Sequence, residues 1–299
     1  MLRLFLCGLV LCCLGALTAC AHTPSAAALR DERLVEASGL AATLAGPRGY
    51  WALNDGGNRA ALFRLSETGE TLARLPVIGA RNRDWEDLAS FHWRGSNWLL
   101  IADTGDNSAR RQRIWLHLIA EPPPGATRAT VAASVSVQYP DGPRDAEAVA
   151  VDSRGGAILV LSKRDRPSRL YRLPLDAFDA PDTRHRFEPE GEVAPDSPPS
   201  ALALLRQPAL LAIGSHVTAL DISTDGHRAV VLGYRRARTV TRRDGESWLA
   251  ALARLQPLPD HRLEQAEAVA FSRDDTEIAI TSEGTHAPLL RQAWPAQTP

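Results

Sequence analysis

The chain has 299 residues, with 34 basic against 35 acidic side chains, a formal charge of −1 and a hydrophobic content of 44%. That balance excludes a polybasic nucleic-acid binder and a disordered chain, and the length allows one large domain or two small ones. All four cysteines, Cys7, Cys12, Cys13 and Cys20, fall in the first 20 positions, so the remainder has neither a disulfide nor a thiolate metal site.

The first element is a basic residue, Arg3, followed by an apolar stretch over 4–17. It is shorter than the roughly 20 residues of a membrane-spanning helix and ends in small residues, which reads as a secretory signal over 1–19. Leu17-Thr18-Ala19-Cys20 resembles the lipobox of bacterial lipoproteins. On that resemblance Cys20 becomes the lipidated first residue of the mature protein. Ala21, in place of Asp, implies the outer membrane, with the body facing the periplasm of the bacterial envelope. Residues 20–30 then form the lipidated Cys and a short tether, and 31–299 a single domain.

Beyond the tether, one short helical pattern stands at 246–255, and strand patterns dominate. Apolar, β-branched runs with turn-rich flanks stand at 49–54, 98–103, 157–162, 229–234 and 277–282. Each is preceded by a smaller apolar run, and four of these runs start on a glutamate: Glu36-Ala-Ser-Gly-Leu-Ala, Glu86-Asp-Leu-Ala, Glu147-Ala-Val-Ala-Val and Glu267-Ala-Val-Ala-Phe. Val217-Thr-Ala-Leu-Asp-Ile is a fifth, divergent head. Third strands are expected at 62–65, 114–118 and 170–173. Four antiparallel strands in about 50 to 60 residues make a β-propeller blade. The expected fold is therefore an all-β propeller of five blades. Six is the alternative if 200–205 (Ser-Ala-Leu-Ala-Leu-Leu) builds one of its own. The last unit is one strand short, and Arg33-Leu-Val is placed to supply it from the amino terminus. A β-sandwich is the competing architecture.

Four motifs, Trp51-Ala-Leu-Asn-Asp-Gly-Gly-Asn, Asp84-Trp-Glu-Asp-Leu-Ala, Ile101-Ala-Asp-Thr-Gly-Asp-Asn and Asp145-Ala-Glu-Ala-Val, resemble those of a group of secreted bacterial propeller proteins. The resemblance covers 36–165 and 217–285 most clearly. It implies a fold similar to the TolB-like and gluconolactonase-type propellers. Some relatives carry an esterase-like phytase label. The motifs specify the group and not an activity.

In such a fold the start of a blade's first strand and the end of its second lie on one face. That face would collect Glu36, Glu86, Glu147 and Glu267 from strand starts, and Asp55, Asp103, Asn107, Lys163 and Glu283 from strand ends, around the mouth of an axial channel. Asn and Asp in the two matching loops, 53–58 and 102–107, also suit turn formation, which alone accounts for Asn58 and Asn107. Converging glutamates repel and need compensation. A divalent cation such as Ca²⁺, which takes six to eight oxygen ligands, is one solution. Arginines close in sequence, Arg81, Arg83, Arg144 and Arg164, are the other. Lys163 is the only lysine in the chain. With Glu147 it is the candidate for any acid–base or substrate-binding role. Trp85 is placed to face the mouth, whereas Trp51, Trp93, Trp98 and Trp115 read as packing between blades. His216 and His286 read as loop residues.

The functional expectation is a lipid-anchored periplasmic propeller that binds a small molecule or an envelope protein at its acidic mouth, directly or through a divalent cation. One alternative is a metal-dependent hydrolase of a phosphoester, ester or lactone, with Glu36, Asp103 and Glu147 as metal ligands. The other is a non-catalytic envelope scaffold. Catalysis is left open, since no nucleophile elbow, zinc-protease motif, phosphate loop or cysteine nucleophile is present in the body.

Overall fold

The strand patterns fold as short antiparallel meanders. The computed structural model describes residues 25–194, 216–259, 261–263 and 265–295. The signal segment, Cys20 and the 200–205 segment lie outside them. Strand β1 spans Ser25–Ala28. A first unit follows with β2 (Ala37–Ala42), β3 (Gly49–Asn54), β4 (Ala61–Ser66) and β5 (Thr71–Ile78). The second has β6 (Asp87–Trp93), β7 (Ser96–Asp103), β8 (Ile114–Ala120) and β9 (Ala129–Gln138). The third has β10 (Ala146–Asp152), β11 (Ala157–Ser162), β12 (Ser168–Pro174), the short β13 (Arg184–Arg186) and β14 (Glu188–Val193). In the fourth are β15 (Val217–Ile222), β16 (Arg228–Gly233), β17 (Arg236–Thr241) and β18 (Gln256–Pro257). The last has β19 (Ala266–Phe271), β20 (Glu277–Ser282) and β21 (Pro288–Ala293). One short helix, α1 (Trp248–Leu252), starts on Ser247, whose Oγ accepts the Ala250 N–H at 3.2 Å. It is shorter than the 246–255 pattern because the chain leaves it for β18.

The protein is all-β. Within each unit the strands pair in chain order, and β13 instead runs parallel to β9. A short parallel contact between β5 and β9 joins the first two units. Their eight strands follow a nearly closed, barrel-like course, with β2 packed on β6 at its ends. The contact is repeated around the molecule: β6 packs on β10, β10 on β15, β15 on β19, and β19 on β2. These first strands are flanked on both sides, and β2, β10 and β19 are buried at every position. That is why they read as continuous runs of Ala, Gly, Val and Leu and not as alternating patterns.

The core lies between successive sheets. One cluster, with Trp51, Trp85, Leu88 and Ile101, fills the gap between the first and second units. Another, with Phe91, Val149, Tyr171 and Phe187, lies between the second and third. Equivalent clusters fill the other three gaps. A polar tie accompanies each. Glu121 accepts Trp51 Nε1–H at 3.0 Å, and both guanidinium nitrogens of Arg94 meet Asp179 at 2.6 Å. Asp152 accepts Trp248 Nε1–H at 2.7 Å, Asp275 accepts the Thr224 N–H at 3.0 Å, and Arg273 Nη1 donates to Gly46 O at 3.0 Å.

The expected closing strand is corrected. Arg33-Leu34-Val35 is not a strand, because Asp31 accepts the Arg33 N–H at 3.0 Å and pairs with its guanidinium, folding this stretch into a turn. The strand that completes the last unit is β1, paired with β21 from Ser25↔Arg291 to Ala28↔Pro288. It occupies positions assigned to the tether, so the folded body begins by residue 25.

Candidate functional site

A bulge at the start of the first strand sets the site. In the third unit Ala146 faces Ser162 and Ala148 faces Leu161, so Glu147 is the extra residue. The same shift isolates Glu267 between Ala266 and Ala268, Ser38 between Ala37 and Gly39, and Thr218 between Val217 and Ala219. In the second unit Glu86 donates its N–H to Ala102 O, the residue already paired with Asp87. A bulge re-aims the side chain it carries. One position per unit is thereby aligned: Ser38, Glu86, Glu147, Thr218 and Glu267.

This register corrects Glu36. The sequence repeat matches it to the other head glutamates, yet it stands two residues earlier, level with Asp84 and Asp145. It is exposed and accepts Asn58 Nδ2–H at 2.5 Å. Ser38 and Thr218 hold the other two bulge positions and tie units together. Ser38 Oγ donates to Trp85 O at 3.0 Å, and Thr218 Oγ1 to Ala266 O at 2.8 Å.

Glu86, Glu147 and Glu267 are buried, and so is Lys163, at the end of β11. Lys163 Nζ contacts Glu147 Oε1 and lies 5.1 Å from the Tyr234 ring centroid. Burial works against the ammonium, but Glu147 and Glu267 outweigh it and hold Lys163 charged. One cation therefore serves three carboxyls. Burial pushes Glu86 well above the ordinary carboxylate range, with the charge of Glu147 adding to it. Burial and Glu147 together push Glu267 up to about 9. Glu147 is raised as well, by burial, even with Lys163 in contact, and its Oε2 is buried without a hydrogen-bond partner. His216 is buried and not a solvated loop residue. Burial first, then the charge of Lys163, push its pKa down to about 4.

Two groups of carboxylates share Glu86. Asp55, Asp84 and Glu86 each place an oxygen within 4.8 Å of the others, and so do Glu86, Asp145 and Glu147. Asp145 is already engaged: one oxygen accepts the Asp106 N–H at 2.9 Å, and the other meets Arg164 at 2.7 Å. Among the described residues neither Asp84 nor the Glu86 carboxyl accepts a hydrogen bond. Asp55 is half-buried and pushed up to about 6, by burial and then by Asp84, although the Gly56 N–H opposes this. A Cβ on Gly105 would collide with Glu86 Oε1 and the Asp84 carboxyl, and one on Gly56 with Asp84. These two glycines let the loops close on the carboxylates.

The remaining predicted residues belong to neither group of three. Asp103 is not part of either group, although its charge acts on Asp84, and it is paired with Arg111 at 2.7 Å, an arginine the sequence did not single out. Asn107 is exposed and accepts from Arg164. Glu283 is half-buried, raised by burial and then by Glu36, and its Oε2 is 3.5 Å from Gln265 Nε2. Trp85 is wholly buried in the core instead of facing the mouth, and Trp115, expected in the core, is 38% exposed. Arginine compensates only part of the site. Arg144 pairs with Asp141 and Asp165, and Arg81 and Arg83 have no partner among the described residues.

Asp87, the neighbour of Glu86 at the strand start, points into the body instead of joining either group of three. It is fully buried, and one oxygen accepts the N–H of Val149 at 2.8 Å and of Leu220 at 3.4 Å. These belong to β10 and β15, so this side chain links the first strands of three units. Compared with known proteins, the chain matches no protein-family model, and no curated protein is significantly similar to it.

Two measurements check the electrostatics. Replacing Lys163 by Met removes the only cation from a buried carboxyl cluster, and a loss of about 3 to 5 kcal/mol is expected in urea unfolding at neutral pH. For Glu267 the folded-state pKa lies above the unfolded one, so the native state holds the proton more tightly. Its contribution is present in acid and is lost as pH rises toward about 9. The unfolding midpoint should fall between pH 6 and 9, and Glu267→Gln should flatten that decline.

Proposed function

We propose that the chain is a five-bladed β-propeller, anchored to the outer membrane through a lipid on Cys20, that takes a divalent cation at its acidic mouth. Through this mouth it binds a ligand or partner protein in the periplasm. Five four-stranded units with first strands in cyclic contact support the propeller reading. Direct packing of β10 on β15 favours five blades over six. Pairing of β1 with β21 is the closure expected of such a ring. The lipobox resemblance at 17–20 supports the anchor, and the acidic mouth argues against nucleic acid as a partner.

The observation that carries the cation reading is the Asp55, Asp84 and Glu86 group. Its oxygens converge within 4.8 Å, and two of the three carboxyls accept no hydrogen bond. Like charges held this closely need a cation or protons. An all-oxygen donor set suits Ca²⁺, a hard cation. The unpartnered Glu147 Oε2 and the glycines pressed against Asp84 and Glu86 fit the same reading. Bound there, the cation would present a positive charge on an acidic rim and attract anionic or carbonyl groups of a ligand.

One observation favours catalysis as a second reading. The Glu147–Lys163 pair adjoins Glu86, and a carboxyl with raised pKa beside an ammonium is a proton donor of the kind hydrolysis uses. Turnover of an ester, lactone or phosphoester panel that is lost in Glu147→Gln supports it, and no turnover removes it.

The cation reading is tested by calorimetric titration of the full-length protein with Ca²⁺. One site is expected, with affinity reduced at least about tenfold in Glu86→Gln. No heat of binding, and no change in thermal midpoint with Ca²⁺ or EDTA, overturns it. For the anchor, Cys20→Ala expressed in a Gram-negative host should move the protein out of the membrane fraction and abolish labelling by radioactive palmitate.

A further inference from the structure

Outside the acidic mouth, at the junction of the first two units, lies a separate cavity of about 580 Å³. Its walls include Arg81, Arg83, Asp103, Trp115, His117 and Ser134. Asp103 is neutralised by Arg111, so the charge facing the cavity comes from two guanidiniums. Both are exposed, and neither has a hydrogen bond or ion pair among the described residues, unlike Arg33, Arg94, Arg111 and Arg144, which all pair with carboxylates.

The other wall is aromatic. Trp115 is one of three large apolar side chains exposed among the described residues. It runs parallel to the His117 ring, with 5° between planes and 6.5 Å between centroids. His117 is fixed by Ser134 Oγ at 2.7 Å, and burial lowers its pKa, which keeps the imidazole neutral. Trp115 and His117 alternate with the buried Leu116 on β8, so a rigid strand presents the aromatic wall.

We propose that this cavity binds a small molecule carrying both a flat ring and a doubly charged anionic group of the phosphate-monoester type. The ring stacks on Trp115, and the anion is held by Arg81 and Arg83. Two arginines match the charge of a dianion and offer paired donors to its oxygens. An exposed indole supplies a stacking surface that a polar anion alone does not need. Binding here requires no cation and stands apart from the reading of the acidic mouth.

The test is calorimetric titration of the full-length protein in metal-free buffer with phenyl phosphate, inorganic phosphate and phenol. Phenyl phosphate should bind more tightly than either of the other two. The double variant Arg81→Gln/Arg83→Gln should weaken it about tenfold or more. Trp115→Ala should weaken phenyl phosphate severalfold and leave inorganic phosphate unchanged, whereas Trp115→Phe should retain most of the affinity. All these side chains are exposed, and circular dichroism verifies that each variant is folded. Glu86→Gln, which removes the proposed cation site, should leave phenyl phosphate binding intact. Absence of binding at millimolar concentration, or equal affinities in wild type and both Arg81/Arg83 and Trp115→Ala variants, overturns the proposal. Loss of binding in Glu86→Gln overturns it too, since the anion would then sit at the acidic mouth.

Discussion

The site depends on a single constraint: each of the five first strands is packed between two others. A strand buried on both faces has no solvent side on which to place a polar residue, so Ala, Gly, Val and Leu fill it. The bulge is one position where the geometry admits a polar side chain. It inserts one residue without a cross-strand partner and turns its side chain toward the neighbouring unit. In two units that side chain is a hydroxyl satisfied by the next unit's backbone, through Ser38 and Thr218. In three it is a glutamate, which no backbone carbonyl can satisfy. The acidic character of the mouth is thus a local choice at three of five equivalent positions.

That choice has an electrostatic consequence. Glu86, Glu147 and Glu267 sit in a region where burial disfavours charge, and one ammonium cannot neutralise three carboxylates. Lys163 lies on the side of Glu147 and Glu267. Around Glu86, Asp55 and Asp84 add further negative charge, and among the described residues no arginine forms an ion pair with any of the three, although the charge of Arg111 acts on Asp84. The imbalance is met by protons, by a cation, or by both in competition. Carboxyls that hold protons near neutrality would have to release them to the proposed cation, so its affinity would rise with pH.

Much of this was legible in the sequence because strand runs and turn residues are local signals. The runs at 49–54, 157–162 and 277–282 coincide with β3, β11 and β20. The glutamates at 86, 147 and 267 and the lone lysine mark the site. Glu36 was misassigned because a bulge changes register, and counting residues along a strand cannot reveal which one is extra. The hydroxyls at 38 and 218 could have been found by aligning on the small residues either side, Ala37 and Gly39 with Ala146 and Ala148. The partner of Asp103 was not legible: Arg111 lies across a loop whose path no periodicity describes. The closing strand was missed because Ser25-Ala-Ala-Ala carries no strand signal of its own and is a strand only because β21 offers an edge.

Asp87 ties the first strands to one another next to Glu86. Its carboxyl reaches from β6 to backbone N–H groups of β10 and β15. Asp221 of β15 adds a second bridging carboxyl, accepting the Phe271 N–H of β19 at 2.7 Å, and burial pushes it up to about 8. These two carboxyls, with only backbone donors for partners, are hydrogen-bonding bridges between the first strands of different units. Beyond burial, the charges of Asp84, Glu283 and Glu36 raise Asp55, so the carboxyls around Glu86 act on one another as one electrostatic group.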